Sequence, residues 1–329
     1  MHSIGLDISK STIAVHIPKG QLSLEIDNTL QGVKGLYAKL KKLYKKEFDD
    51  LVFVFEPTGS YSALLTKFCN EKKIKAFIIN PKQSKNYAKA LGRRNKTDRI
   101  DAEVLSKAIA VAEDKEIAVP HIDEGVEEIK ELMSYYRFIV KQRVKAVNHL
   151  EALESKSGSS YAIKELRKNI AASKHQEQEI LSRICQFIAS DERLEQGYEN
   201  IRSITGVGEI AAIVLLHLFL KYPDANQRQI VSLTGLEPVE RESGSSVKGR
   251  TKISKAGSKL YRGSLFMSAM VSIRHNKQMK QFFERLKANG KHTTAAQTAV
   301  MRKLVVIAHS LYKNNEKYDP EKYNLAIGA

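Results

Sequence analysis

Four carboxylates occupy positions where an acid needs a reason: Asp7 in GLDISK, Glu56 in LVFVFEP, and the pair Asp98 and Asp101 in KTDRIDAEVLSK. Asp7 lies within an apolar, strand-like run, where an ionised carboxylate is costly unless something positive compensates it. Glu56 follows directly on the continuous apolar run Leu51 to Phe55, as an acid at the end of a buried strand would. The spacing of Asp98 and Asp101 puts both on one helical face, although Asp98 reads equally well as an N-cap and Asp101 as its N3 acid. Together the four offer only oxygen ligands. Such a set suits a hard divalent cation, Mg²⁺ or Mn²⁺, and two such ions can clamp the attacking and leaving oxygens of a phosphodiester. His16, farther along the same run as Asp7, reads as a structural or surface residue rather than a ligand.

A second candidate lies far from these acids, in GLEPVERESGSSVKGRTKISKAGS, which offers Ser243, Ser245 and Ser246. A serine hydroxyl is a weak nucleophile unless a base, a metal or a cationic field stabilises its alkoxide, and no histidine stands nearby to complete a triad. The neighbouring cations supply a field that could hold a phosphate.

The charge is distributed to match. The 329 residues carry 54 Lys and Arg against 37 Asp and Glu, a net +17, with an isoelectric point near 9.6. Such an excess points to a polyanionic partner, nucleic acid before membrane. Two windows hold about +12 of it. The first, 81–100, contains Lys82, Lys85, Lys89, Arg93, Arg94, Lys96 and Arg99; the second, 241–262, contains Arg241, Lys248, Arg250, Lys252, Lys255, Lys259 and Arg262. Of these, Lys82, Lys85, Arg93, Arg94, Lys96, Arg241, Lys248, Arg250, Lys252 and Lys255 are the expected phosphate contacts. Lys and Arg in such segments position a backbone rather than read bases.

The elements that must position these residues divide the chain in three. Ile4 to Ile17 alternates as a strand, breaks at Pro18 to Gly20 and resumes in QLSLEID as a hairpin. A helix from about Val33, the strand Leu51 to Phe55, a helix over Tyr61 to Lys72 and the strand Lys75 to Asn80 complete an α/β pattern over residues 1–118. In a ribonuclease-H-like sheet, the first strand and a neighbouring central strand end side by side, which would bring Asp7 and Glu56 to one site. Residues 119–195 read as a helical hairpin or coiled-coil arm, with an apolar stripe through Val126, Ile129, Met133, Tyr136, Val140, Val144, Val147 and Leu150 and a second through Ile163 to Phe187. Residues 196–329 are mainly helical. They contain ITGVG, a helix-hairpin-helix turn whose amides could meet a phosphate, and the chain beyond Asn314 is expected to be loosely held.

The same features exclude several classes. A hydrophobic content of 42% buries real cores and rules out a disordered tail protein. The two cysteines, Cys69 and Cys185, cannot make a disulfide scaffold or a zinc site, and no cysteine chemistry is expected. No apolar stretch approaches the roughly 18 residues of a membrane span, so a cytoplasmic protein without a membrane partner is expected.

The motifs in this order resemble the DEDD transposases of insertion sequences of the IS110 type, and the resemblance covers nearly the whole chain. GLDISK resembles the family's first acid motif, FEPTGSY its second and KTDRIDAEVLSK its paired aspartates, while ITGVGEIAA, TGLEPVERESGSSVKGRTKISKAG and AVMRKLVVIAHSLYK resemble its C-terminal transposase domain. The SGSSVKGR spelling is similar to the IS1111 subgroup. The resemblance implies a RuvC-like domain in which Asp7, Glu56, Asp98 and Asp101 are the metal-binding tetrad, with Ser243 as nucleophile. It further implies donor and target DNA, an element-encoded guide RNA, and a homo-oligomer, a dimer that is a tetramer in the synaptic complex, in which the acids of one protomer meet the serine of another across the helical arm. Rival readings are a RuvC-like nuclease using metal-activated water, a sugar-kinase or actin-like ATPase, and a non-catalytic nucleic-acid-binding scaffold. The ATPase lacks its later D-x-G-G phosphate loop.

Overall fold

Residues 1–92, 97–121, 123–240, 242–243, 247–248 and 251–322 are described in the structure, a computed structural model. Two compact units divide the chain, Met1–Asp123 and Glu124–Ala329.

In the first unit the expected single strand from Ile4 to Ile17 is two strands, β1 (His2–Ile8) and β2 (Thr12–Ile17). Ser9 makes the difference. Its side-chain oxygen accepts from the Thr12 amide at 3.0 Å and its own amide donates to the Thr12 carbonyl at 2.9 Å, so the chain reverses at Lys10 and Ser11 instead of extending. Asp7 is therefore next to the end of β1, half-buried, rather than in mid-strand. β3 (Leu22–Asp27), α1 (Leu30–Tyr44), β4 (Leu51–Phe55), α2 (Ala63–Lys72), β5 (Lys75–Ile78), α3 (Pro81–Ala90), α4 (Asp98–Lys107) and β6 (Ile117–Ala118) follow. The sheet runs β3-β2-β1-β4-β5-β6. β1 pairs antiparallel with β2 and parallel with β4, β4 parallel with β5, and β5 antiparallel with β6. This mixed sheet is consistent with the expected ribonuclease-H-like domain.

Period-two alternation sorts the sheet's side chains into two cores. Ile4, Leu6, Ile8, Leu51, Phe53 and Phe55 pack against Val33, Leu36, Leu40 and Tyr44 of α1 and Leu65 and Phe68 of α2. Val52, Val54, Phe77 and Ile79 pack on the other face with Leu105 and Ala108, joined by Tyr87 of α3. Burial pushes the Cys69 thiol up to about 12, which leaves no reactive thiolate there.

The second unit is mainly helical: α5 (Glu124–Glu154), α6 (Ser160–Ala189), α7 (Glu192–Arg202), α8 (Glu209–Lys221), α9 (Gln227–Thr234), α10 (Lys259–His275), α11 (Lys277–Ala288) and α12 (Thr293–Asn314). Between α9 and α10 lie four two-residue strands, β7 (Pro238–Val239), β8 (Glu242–Ser243), β9 (Val247–Lys248) and β10 (Lys252–Ile253). α5 and α6 form an antiparallel hairpin, with ion pairs from Arg143 to Glu177 at 2.6 Å and from Arg167 to Glu154 at 2.8 Å. Ile129, Met133, Ile139, Ile180, Ile184 and Ile188 join the hairpin to the core of the unit. The apolar stripe expected to continue through Val144 and Val147 is exposed there.

α8 is apolar nearly all round and fills the centre of the unit, as a helix buried on every side must. The ITGVG turn before it packs on α10. A Cβ at Gly206, whose φ is +100°, would sit 2.1 Å from Ser272 Oγ, and that hydroxyl donates to the Thr205 carbonyl at 2.9 Å. The chain after Asn314 is held rather than loose as far as Tyr318: Asn315 accepts from the buried Asn200 at 2.8 Å, and the Tyr318 amide donates to Ser203 Oγ at 2.8 Å. Among the described residues no helix is long and apolar enough to cross a membrane.

His217 of α8 is 95% buried, with Nδ1 3.2 Å from the Tyr261 hydroxyl and with Nε2 unpartnered among the described residues. Burial first, and Lys221 and Lys130 next, push its pKa down to about 4 from 6.5. Because the folded value is depressed, stability present above pH 6.5 is lost as pH falls toward 4, by about 3 kcal/mol at most. His217→Gln is expected to flatten urea-melt stability across that window relative to the parent protein; parallel acid limbs would contradict this account.

Candidate active site

The parallel register pairs Gly5 with Val54 and Leu6 with Phe55. The next residues, Asp7 and Glu56, therefore leave neighbouring strands side by side at their C-terminal ends, where ligands bind in open α/β sheets. Since Ile4, Leu6 and Ile8 face α1 and α2, alternation turns Gly5 and Asp7 to the opposite face, which α4 covers.

What brings α4 there is Gly5. A Cβ at this position would lie 1.9 Å from the Ala102 carbonyl oxygen and 2.5 Å from the Ser106 amide, so only glycine lets the helix backbone rest on β1. Ala102 follows Asp101, and Gly5 precedes Asp7 by two residues on the same face, about 7 Å along the strand. A second pin lies beside the first. His16, opposite Gly5 on β2, places Nδ1 2.8 Å from Ser106 Oγ. The Ser106 hydroxyl donates to the Glu103 carbonyl at 2.7 Å, so His16 is the donor to Ser106 and carries its proton on Nδ1. Burial pushes the His16 pKa down, partly opposed by Glu103. His16 is thus structural, as expected.

Asp98 and Asp101 both lie in the first turn of α4, but neither caps it. Thr97 does, its hydroxyl accepting from the Ile100 amide at 3.3 Å. Capping, the alternative use for Asp98, is removed, though both acids still suit the positive end of the helix dipole. Asp98 is exposed and Asp101 half-buried. Among the described residues no three His, Cys, Asp or Glu side chains converge into a ready-made metal cage. The four carboxylates nevertheless offer the all-oxygen donor chemistry that a hard divalent cation takes. Beside them, α3 starts at Asn80, whose side chain accepts from the Lys82 amide at 2.9 Å, and exposes Lys82, Lys85 and Lys89 with helical spacing. Arg93, Arg94 and Lys96 lie outside the described residues.

In the second unit Ser243 is the last residue of β8, paired across a hairpin with Val247, while Glu242 pairs with Lys248. Ser245, Ser246, Arg241 and Arg250 lie outside the described residues. The described parts of this segment pair as two ladders: besides β8 with β9, β7 pairs with β10, with Val239 opposite Lys252. Lys252 and Lys255 are exposed in and after β10.

The base of this segment is built from residues that sequence reasoning passed over. Gly235 (φ +69°) and Gly257 face one another so closely that a Cβ on Gly257 would lie 2.0 Å from the Leu233 carbonyl oxygen. Arg262, counted above only toward the charge of its window, donates through Nη1 to the Gly257 carbonyl at 2.6 Å and the Thr234 carbonyl at 3.1 Å. The glycines in TGLEP and KAGS were the available signal. No thiol competes as nucleophile, since burial and Glu209 raise Cys185 to about 11.

A mixed sheet with acids at the ends of adjacent parallel strands, in a strongly basic chain, is consistent with the DEDD, ribonuclease-H-like class of domain. The chain belongs to the IS110 family of transposases: residues 4–154 match the family model for the DEDD transposases of that type, and residues 198–284 the model described as "Transposase IS116/IS110/IS902 family". It is similar to the pilin gene-inverting proteins of Moraxella bovis and Moraxella lacunata, each 28% identical over 325 residues, spanning 96% of this chain and 97% of the relative. The family makes it a DNA-rearranging enzyme.

Gly5→Ala tests the geometry. Forcing a methyl into the α4 backbone is expected to cost about 1–3 kcal/mol, read as a lowered Tm of the N-terminal unit, and to suppress strand cleavage more than DNA binding. An unchanged Tm would mean that α4 is not seated on Gly5.

Proposed function

We propose that this protein cuts and rejoins DNA through a phosphoserine formed on Ser243, with Asp7, Glu56, Asp98 and Asp101 as a metal-binding tetrad and a guide RNA choosing the sites. The observation that supports this reading is the shared register of β1 and β4, which puts Asp7 and Glu56 at neighbouring strand ends, with the helix that bears the other two acids seated on β1 at Gly5. Mg²⁺ or Mn²⁺ held by these four would neutralise charge on the scissile phosphate and ease formation of the serine alkoxide.

The protein's own residues carry the remaining work. Ser243 Oγ bonds to phosphorus as the phosphorus bond to one DNA oxygen breaks, and the serine proton ends on that departing oxygen as a free hydroxyl. Attack of a hydroxyl from another strand on the phosphoserine reverses the exchange, so one phosphoester replaces another and no external energy source is needed. Arg241, Lys248, Arg250 and Lys252 offset the charge that gathers on the phosphorane. Lys82, Lys85, Arg93, Arg94, Lys96 and Lys255 hold DNA or guide RNA by the phosphate backbone. The inversion named for the Moraxella relatives is one outcome of such an exchange, and a homo-oligomer that brings two or four active sites together would perform it.

Ser243→Ala is expected to abolish the covalent protein-DNA species seen on denaturing gels while DNA affinity stays within about twofold. Asp7→Ala and Glu56→Ala should lose cleavage and its dependence on added Mg²⁺. A covalent adduct formed by Ser243→Ala would transfer the role to Ser245 or Ser246, and undiminished cleavage in chelator would remove the tetrad. Cleavage that never yields an adduct would leave metal-activated water as the nucleophile.

A further inference from the structure

The outer side of α5 carries a feature that the proposed chemistry does not use. Tyr135 and Phe138 are 47% and 54% exposed, yet their rings lie together, with centroids 6.4 Å apart and planes inclined by only 18°. At about 100° per residue, Phe138, Lys145 and His149 fall on the side of the helix opposite the buried Ile129 and Met133, with Tyr135, Lys141 and Gln142 flanking them. Lys141, Gln142, Lys145 and His149 are all exposed, and neither lysine has a carboxylate partner among the described residues. No acid occurs in α5 between Glu131 and Glu151.

Two exposed, nearly parallel rings followed by a row of cations and amide or imidazole donors have the composition of a stacking platform for unpaired bases. In a duplex the base faces are already stacked on one another and cannot reach such rings. A second copy of the chain fits the face poorly, because in a two-fold pairing the same patch meets itself and offers Lys141 and Lys145 no carboxylate. We propose that Tyr135 and Phe138, with Lys141 and Lys145, form a binding site for unpaired, single-stranded DNA, such as strand exchange exposes. The assignment to DNA rests on the recombinase reading above; the stacking chemistry does not.

The test uses the full-length protein in chelator, so that no cleavage intervenes, and compares fluorescein-labelled oligothymidylate with a duplex of equal length. Tyr135→Ala/Phe138→Ala should weaken binding of the single strand about tenfold or more and leave the duplex within about twofold. Because the chain contains no tryptophan, Tyr135→Trp places a lone reporter on the platform, and oligothymidylate should quench its emission while the duplex does not. Equal losses for single strand and duplex, or no quenching, would overturn the proposal. So would quenching by oligouridylate without quenching by oligothymidylate, or a double variant that changes oligomeric state without changing DNA affinity. Asp7→Ala and Ser243→Ala should keep the full quench, so failure of the cleavage chemistry and failure of this site read out separately.

Discussion

Backbone lying directly on backbone at Gly5 is the constraint on which the N-terminal site depends. A side chain of any size there would lift α4 off β1, since even a methyl overlaps the Ala102 carbonyl. The carboxylates come from three separate elements, two strand ends and the first turn of a helix, so their spacing depends on how those elements pack. Strand register places Asp7 and Glu56 without further help, because β1 and β4 pair along their lengths. Asp98 and Asp101 have no such ladder. Their position is inherited from the seat of α4, fixed by Gly5 and steadied by His16 on Ser106.

The C-terminal unit meets the same problem with a different device. Ser243 lies on β8, which pairs with β9 over only two residues, too short a ladder to be stable alone. The base of the segment compensates. Gly235 and Gly257 let two backbone segments touch, and Arg262 closes the junction by donating to a carbonyl on each. An arginine fits this role better than a lysine because its planar fork presents donors in fixed directions. The cationic character of the segment is thus divided, with Arg262 turned inward while Lys252 and Lys255 remain exposed.

Much of this was legible in the sequence, for reasons that depend on range. The apolar run Leu51 to Phe55 ends at Glu56 in the structure as in the sequence, because a central strand buried on both faces writes itself as an unbroken string. Helices with a clear apolar stripe were equally plain. The reversal at Ser9 was not, because hydrophobic alternation continues through it and the turn depends on one serine satisfying the backbone locally. Nor was the purpose of Gly5, Gly235 or Gly257, since each is defined by a partner segment that only folding brings near. The two roles assigned to Asp98 could be separated only by seeing Thr97 take the cap.

The distribution of cations bears on how such an enzyme chooses its DNA. Lys82, Lys85 and Lys89 on α3, and Lys252 and Lys255 in and after β10, are long, exposed and spaced along element surfaces, an arrangement suited to phosphates. Phosphate contacts fix orientation and raise affinity, but they are the same at every base pair. A protein that recognises DNA mainly in this way needs its sequence information from elsewhere. Under the proposed function, base pairing with a guide RNA would supply that information without asking any side chain to read a base edge. The rigid contacts at Gly5 and at the Arg262 junction would then serve to place the proposed acids and serine rather than to discriminate sequence.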